Sequence, residues 1–383
     1  MRQPVRQPGR PAQAVLALAM ALGLFACAPR VAEGFRNAKN AGDRAHSAGR
    51  YDEAASAYQR AGQEAGRPRD RAEALYLEAF SLQRARAWDR ARSAYERLLV
   101  EMPTSDLARR GSFNLADLEI DAGNVDGGYD RYRRLMTKYP NEALAKRALE
   151  RYLHYLETRG DNALTWLQSV LPELASTELD ETARYRLAGY LEAASDLRGA
   201  RDLYVECATR HPYPKGALFD DALWHASLLD EKLGRATEAI AHLRRMLATR
   251  EASTLMGSYE RPRFSAAQFR MAVLYRDALG DLAAARREFH RLYSDHPTSI
   301  LRDDALWEEA KLSRDGGDAK EACSLAAALS RDFPASRYAP CTPAVCPSAP
   351  PPKARCHAYL LRATTGPASA ETTAPAERPS PDE

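Results

Sequence analysis

The sequence predicts an all-α fold: a solenoid of about eight helix hairpins followed by a disordered C-terminal tail. Three observations carry this. The stretch from Asp303 to Pro334 reads as two short helices, with Leu306, Ala310 and Ser313 on the buried face of the first and Ala319, Ala322, Ala326 and Leu329 on that of the second. Gly316-Gly317-Asp318 turns between them, and Pro334 ends the second. The same pattern recurs along almost the whole chain, as it must if each hairpin buries its apolar face against a neighbour. Beyond Pro334 the character changes, and residues 340–383 hold 10 of the 23 prolines.

At the N-terminus, Arg2, Arg6 and Arg10 precede an apolar run of 12 residues, Ala14 to Phe25. A membrane-spanning helix needs about 20, so the run fits the core of an export signal over residues 1–26. Without those three arginines the chain has 52 basic and 52 acidic side chains. A near-neutral chain lacks the basic footprint of a nucleic-acid binder, and no nucleic-acid partner is expected. The run ends in Leu24-Phe25-Ala26-Cys27, which resembles the bacterial lipobox. That resemblance implies lipidation of Cys27 after cleavage and, with Ala28 following, an outer-membrane address. Several acyl chains anchor firmly where one is marginal. Residues 27–40 would form the lipidated N-terminus and spacer.

The solenoid is expected over residues 41–335. Its first hairpin closes with Gly49-x-Tyr51-x-x-Ala54-x-x-x-Tyr58-x-x-Ala61, a turn followed by apolar positions at helical spacing. The next has Leu75, Ala79 and Leu82, then Trp88, Ala91, Tyr95 and Leu98, and Pro103. The third has Leu115 and Ala116, then Gly123, Val125, Tyr132 and Leu135, and Pro140. Tyr51, Trp88 and Val125 are spaced 37 apart. Residues 141–172 keep a helical pattern but leave the register and are read as a degenerate repeat. Cleaner units follow around Leu187 to Pro212, Leu223 to Met246 and Phe269 to Pro297, with a loop insertion at 250–263.

This order of Gly, Ala, aromatic and Pro resembles the tetratricopeptide repeat (TPR), whose period is about 34. The resemblance implies a right-handed superhelical solenoid in which the first helix of each pair lines a concave face. One place after the first core position stand Tyr76, Phe113, Tyr185, Trp224 and Trp307, with Arg270 in the same place of the seventh repeat. These are candidate groove-lining residues, since aromatic and Arg side chains anchor interfaces. The alternative is that they pack between adjacent repeats. No carboxylate clamp for a peptide C-terminus is expected.

In the tail, residues 336–383, Pro350-Pro351-Pro352 cannot sit in a helix interior, and only Ala354 to Arg362 is expected to order. Cys323, Cys341, Cys346 and Cys356 cluster there, and in an exported chain such a set implies disulfides. The preferred pairing is Cys323 with Cys341 and Cys346 with Cys356, though spacing does not separate the three possibilities. A zinc site of Cys341, Cys346, Cys356 and His357 is the rival, without the usual close pair of cysteine ligands. Cys207 falls on a buried helix face. No metal or cofactor is expected. Asp220-Asp221 and Asp303-Asp304 open helices, where negative charge suits the macrodipole, and no nucleophile elbow or phosphate loop is present.

The chain is therefore expected to be no enzyme but a scaffold, anchored through Cys27 to the periplasmic face of the outer membrane and presenting its groove to an envelope or periplasmic protein. The combination resembles the BamD-like lipoproteins of β-barrel assembly and the periplasmic coordinator of the Tol-Pal system. An accessory factor for a cell-wall enzyme, or an unanchored periplasmic peptide-binding module, are the alternatives.

Overall fold

The computed structural model describes residues 31–251, 261–352 and 354–361. The signal segment with Cys27, most of the 250–263 insertion and the chain beyond 361 lie outside the described residues. Among the described residues the regular structure is sixteen α-helices and two short 3-10 helices, with no strand. No described helix is long and apolar enough to cross a membrane.

The helices follow one another in eight pairs. These are α1 (Glu33–Ser47) and α2 (Tyr51–Gln63), α3 (Pro68–Arg84) and α4 (Trp88–Glu101), α5 (Asp106–Asp121) and α6 (Val125–Lys138), α7 (Ala143–Arg159) and α8 (Ala163–Leu174). Then come α9 (Asp180–Ala193) and α10 (Leu197–Arg210), α11 (Phe219–Lys232) and α12 (Ala236–Leu247), α13 (Phe264–Asp277) and α14 (Leu282–Asp295), α15 (Arg302–Asp315) and α16 (Ala319–Asp332). They form two compact units: one runs to Ala163 and includes Leu174–Leu179, the other comprises Leu164–Glu173 and the chain from Asp180. The solenoid starts earlier than residue 41, because Phe35 on α1 is buried against Ala61 and Ala74.

One backbone event marks every pair. The turn between first and second helix holds a residue in the left-handed region: Gly49, Arg86, Gly123, Gly160, Ser195, Gly234, Gly280 and Gly317. Glycine takes this conformation without steric cost, which explains six of the eight. In four of these turns the next residue caps the second helix, as Asn124, Asp196, Asp281 and Asp318 each accept a hydrogen bond from the backbone N–H three residues on. Gly160 keeps the interval of 37 set by Gly49, Arg86 and Gly123. The repeat read as degenerate thus retains the backbone register.

What it lacks is the plug. Nine residues after the turn stand Tyr58, Tyr95 and Tyr132, each at most 2% exposed. The fourth pair has Ser169 there, and it is exposed. The plugs need close approach: a Cβ on Gly42 would lie 2.6 Å from the Tyr58 ring. Their hydroxyls are satisfied, Tyr58 donating to Asp43 at 2.8 Å, Tyr95 to Gln83 at 2.9 Å, and Tyr132 to Asp117.

A second recurrent joint is ionic. Glu119, four residues before its turn, is buried and accepts from Arg92 at 2.9 Å and Asn124 at 2.8 Å. Burial opposes its ionisation, but these donors outweigh it and hold the carboxyl below its ordinary value. Asp230, in the same place of the sixth pair, is fully buried and accepts from Arg201 at 3.0 Å, with His242 at 3.1 Å.

The tail corrects two expectations. Residues 336–352 are ordered, as well as 354–361. Ser336 donates to Asp303, and Arg337 and Tyr338 to Asp304, which ties the chain to the start of α15. A 3-10 helix, Ala339–Ala344, follows, with a second at Ala358–Leu361. Tyr338, Cys341, Val345, Cys346 and Leu360 are buried against Leu306, Trp307, Ala310, Leu325, Ala326 and Leu329. Proline excludes an α-helix interior but not a 3-10 turn over an apolar face. The disulfides join Cys323 with Cys346 and Cys341 with Cys356, not Cys323 with Cys341 and Cys346 with Cys356. The reason is the path of the tail. It starts beside the first turn of α15 and runs back along the hairpin, so that Ala344 accepts from Arg314 at the far end of α15. That end adjoins the start of α16, where Cys323 lies, and only the chain just past Ala344 reaches it.

Candidate functional site

The six candidate groove residues occupy one register position, each ten residues before the left-handed turn: Tyr76, Phe113, Tyr185, Trp224, Arg270 and Trp307. Their environments differ. Phe113 and Trp307 are buried, at 2% and 1% exposure, and line no groove. Tyr76, Tyr185, Trp224 and Arg270 are half-buried.

The cause is what the following element lays over each one. The Arg147 guanidinium sits 4.8 Å from the Phe113 ring centre and Arg151 5.6 Å, while Tyr132 packs beside it. Tyr338 of the tail stacks on Trp307 at 5.4 Å. Trp224 has Arg263 at 5.7 Å, and Tyr76 has Arg110 at 5.9 Å. Arg270 instead pairs back to Glu231 of the preceding hairpin at 2.7 Å. Tyr185 meets Tyr204 and His225 edge-on. Burial raises the Tyr185 hydroxyl to about 12 and lowers His225, with Glu192 opposing the latter, so these two rings are uncharged at pH 7. The position is a stacking joint between successive first helices, and it is open only where the cover is partial.

Tyr76 is such a place. An open cleft of about 810 Å³ lies between α3 and α5, lined by Arg69, Glu73, Tyr76, Leu77, Leu107 and Arg110 among others. That volume is in the range of pockets that enclose a small ligand, roughly 300–1,000 Å³. Its apolar floor is Tyr76, Leu77 and Leu107. Tyr76 is held from behind, its hydroxyl accepting from Asn114 at 3.0 Å. The carboxylates at the rim are already engaged, Glu73 with Lys39 at 3.5 Å and Asp106 with Arg109. Arg69 and Arg110 are exposed and pair with no carboxylate among the described residues. The cleft therefore presents apolar surface flanked by uncompensated positive charge. Arg69 and Arg110 carry no motif of their own in the sequence. The one signal was periodicity, since Arg110 and Arg147 hold the same place in successive repeats, thirteen residues before Gly123 and Gly160.

The remaining polar clusters are structural. Asp180 is fully buried and accepts from Arg184 at 2.8 Å and Arg210 at 2.9 Å, with His211 at 2.8 Å. Burial opposes its charge, and these partners outweigh that and lower its pKa. Asp220 and Asp221 pair with Arg261 and Arg263, and Asp304 with Arg337, so both Asp pairs serve joints to the following segment. His242 and His211 back buried carboxylates instead of facing solvent, and His296 is itself buried. Cys207 is a free, buried thiol pushed up to about 12 by burial, which makes it a packing residue. The other described cysteines are in disulfides, which removes the thiolates of the zinc alternative. No group of three metal-ligating side chains occurs among the described residues.

Residues 73–105 and 266–299, the α3–α4 and α13–α14 pairs, match the tetratricopeptide repeat family model. These two hairpins are tetratricopeptide repeats. With the left-handed turn shared by all eight helix pairs, the fold is an all-α solenoid of tetratricopeptide-like hairpins, the expected class. The chain is similar to PilW, a type IV pilus biogenesis factor, at 17% identity, covering 69% of this chain and 94% of that one with a TM-score of 0.28. It is also similar to pilF of Pseudomonas aeruginosa, at 14% identity, 70% and 96% coverage and a TM-score of 0.29. A third structure is the quorum sensor NprR of B. thuringiensis, at 12% identity, 83% and 93% coverage and a TM-score of 0.37. Similarity at this level bears on neither partner nor activity. No curated protein matches the chain.

Proposed function

We propose that the chain is a non-catalytic scaffold of the bacterial cell envelope, anchored through lipid on Cys27 and holding a partner protein on the first-helix face of its tetratricopeptide-like array. The observation that carries the docking part is the open cleft at Tyr76, where apolar surface and unpaired cations lie together on a packed backbone. Aromatic and Arg side chains in such surroundings are the usual anchors of interfaces. Export is supported by the leader sequence and by the two disulfides of the tail, which persist in oxidising compartments.

In-cell photocrosslinking from position 77 on the cleft floor, followed by purification and identification of the adduct, tests the docking face. A specific envelope protein is expected there and absent when the crosslinker is moved to position 134 on α6. Equal recovery from both positions contradicts the docking face. Radioactive fatty-acid labelling tests the anchor: label on the wild type and none on Cys27→Ala is expected, and retained label rejects lipidation at that residue.

A further inference from the structure

Three observations bear on what the cleft recognises. Its cations are not neutralised. Arg69 and Arg110 lack carboxylate partners among the described residues, while the nearby acids Glu73 and Asp106 are engaged by Lys39 and Arg109. The cations are also positioned, because Arg110 lies 5.9 Å from the Tyr76 ring and Arg147 4.8 Å from Phe113. A guanidinium resting on an aromatic face gains from the ring quadrupole and keeps its N–H groups for an outside acceptor. Finally, the charges recur. Arg110 and Arg147 are equivalent residues of successive first helices in the first unit, 37 apart, and Arg147 too lacks a carboxylate partner among the described residues. Positive charge repeated along a face is matched by acids spaced along an extended chain, not by one terminal carboxylate.

We propose that this face binds an acidic, extended segment of a partner protein, with Asp or Glu side chains on Arg69, Arg110 and Arg147 and an apolar side chain seated against Tyr76, Leu77 and Leu107. The proposal rests on the scaffold reading and gives that partner its chemistry. Recognition by charge beside an apolar anchor sets two signatures: affinity falls as salt rises, because exposed charges are screened, and it falls again when the anchor is removed.

The test uses the full chain and a fluorescent peptide of alternating Glu and Leu, acetylated and amidated, with a Gln/Leu peptide as the neutral control. The acidic peptide is expected to bind with salt-sensitive affinity and the neutral one at least about tenfold more weakly. Arg69→Gln and Arg110→Gln are each expected to weaken the acidic peptide about tenfold while leaving the neutral peptide and the circular dichroism unchanged. Arg134→Gln on α6 should have no effect. Equal binding of both peptides, unchanged binding by the two variants, no binding of the acidic peptide, or a requirement for a free C-terminus would each overturn the proposal. Sedimentation showing self-association that Arg110→Gln abolishes would assign the cleft to a second copy and overturn it as well. The scaffold reading stands or falls separately, on the crosslinked adduct at position 77.

Discussion

The two units solve the same packing problem differently. In the first, the left-handed turns fall at 49, 86, 123 and 160, a constant interval of 37, and three successive plugs are tyrosines. In the second the turns fall at 195, 234, 280 and 317, and the plugs are Tyr204, Leu243, Phe289 and Ala326. In the first unit one side chain type serves three successive joints, with its hydroxyl on a polar residue of the paired first helix. Where the interval varies, each joint is filled individually. Both units also bury carboxylates in ionic joints, Glu119 in the first and Asp180 and Asp230 in the second, where both are fully buried and surrounded by Arg and His. At the end of the second unit, where the plug shrinks to Ala326, the tail adds Tyr338 over Trp307.

The contrast is sharpest in what the joints cost to break. Asp230→Ala leaves Arg201 and His242 around an uncompensated site and is expected to destabilise by about 3–5 kcal/mol. Tyr95→Phe removes one hydroxyl from Gln83 and Asn114 and should cost about 1 kcal/mol. Urea unfolding measures both, and equal losses would erase the distinction between the two kinds of joint. Next in size is the tail. Cys346→Ser opens the bond to Cys323 and should cost about 2–4 kcal/mol, with Trp307 becoming accessible to a fluorescence quencher. A quencher-protected Trp307 in that variant would show that packing alone holds the tail.

The second unit also carries a pH-dependent term at Glu309. Burial raises Glu309 to about 7, with His290 opposing. A folded pKa above the ordinary 4.5 means that the stabilisation is complete below 4.5 and is lost as pH rises through about 7. Glu309→Gln keeps an uncharged acceptor for His290. Its melting temperature should therefore exceed that of the wild type above pH 7 and converge with it below 4.5. A constant difference at all pH values would place the effect in packing instead. The smallest effect is at Arg86, which takes a positive φ where five other turns of the first and second units use glycine and Gly160 a sixth. Relief of left-handed strain, roughly 1–2 kcal/mol, less the entropy glycine adds to the unfolded chain, roughly 0.5–1 kcal/mol, predicts that Arg86→Gly stabilises by about 0–1.5 kcal/mol. Destabilisation would mean that the Arg86 side chain contributes more than the turn costs.

Much of this architecture was readable from residues alone. Gly49, Gly123 and Gly317, the tyrosine plugs and the prolines closing the second helices are local signals, repeated often enough to identify the hairpin. The candidate site was half legible. The register position of Tyr76, Phe113, Trp224 and Trp307 was correct, but register does not report what a neighbour lays on top. Arg69 and Arg110 were passed over because an exposed arginine is common, and its significance here comes from the lack of a carboxylate partner.

The sequence by itself determined the helix pairs, their turns and their number, because propensity, glycine conformation and apolar spacing act within a few tens of residues. The tertiary structure decided which of several equivalent aromatics stays open, which cysteines meet, and that a proline-rich segment orders. Each of those depends on contacts between residues distant in the chain: Arg147 over Phe113, Ala344 at the far end of α15, and an apolar end-face on the last hairpin that the tail covers.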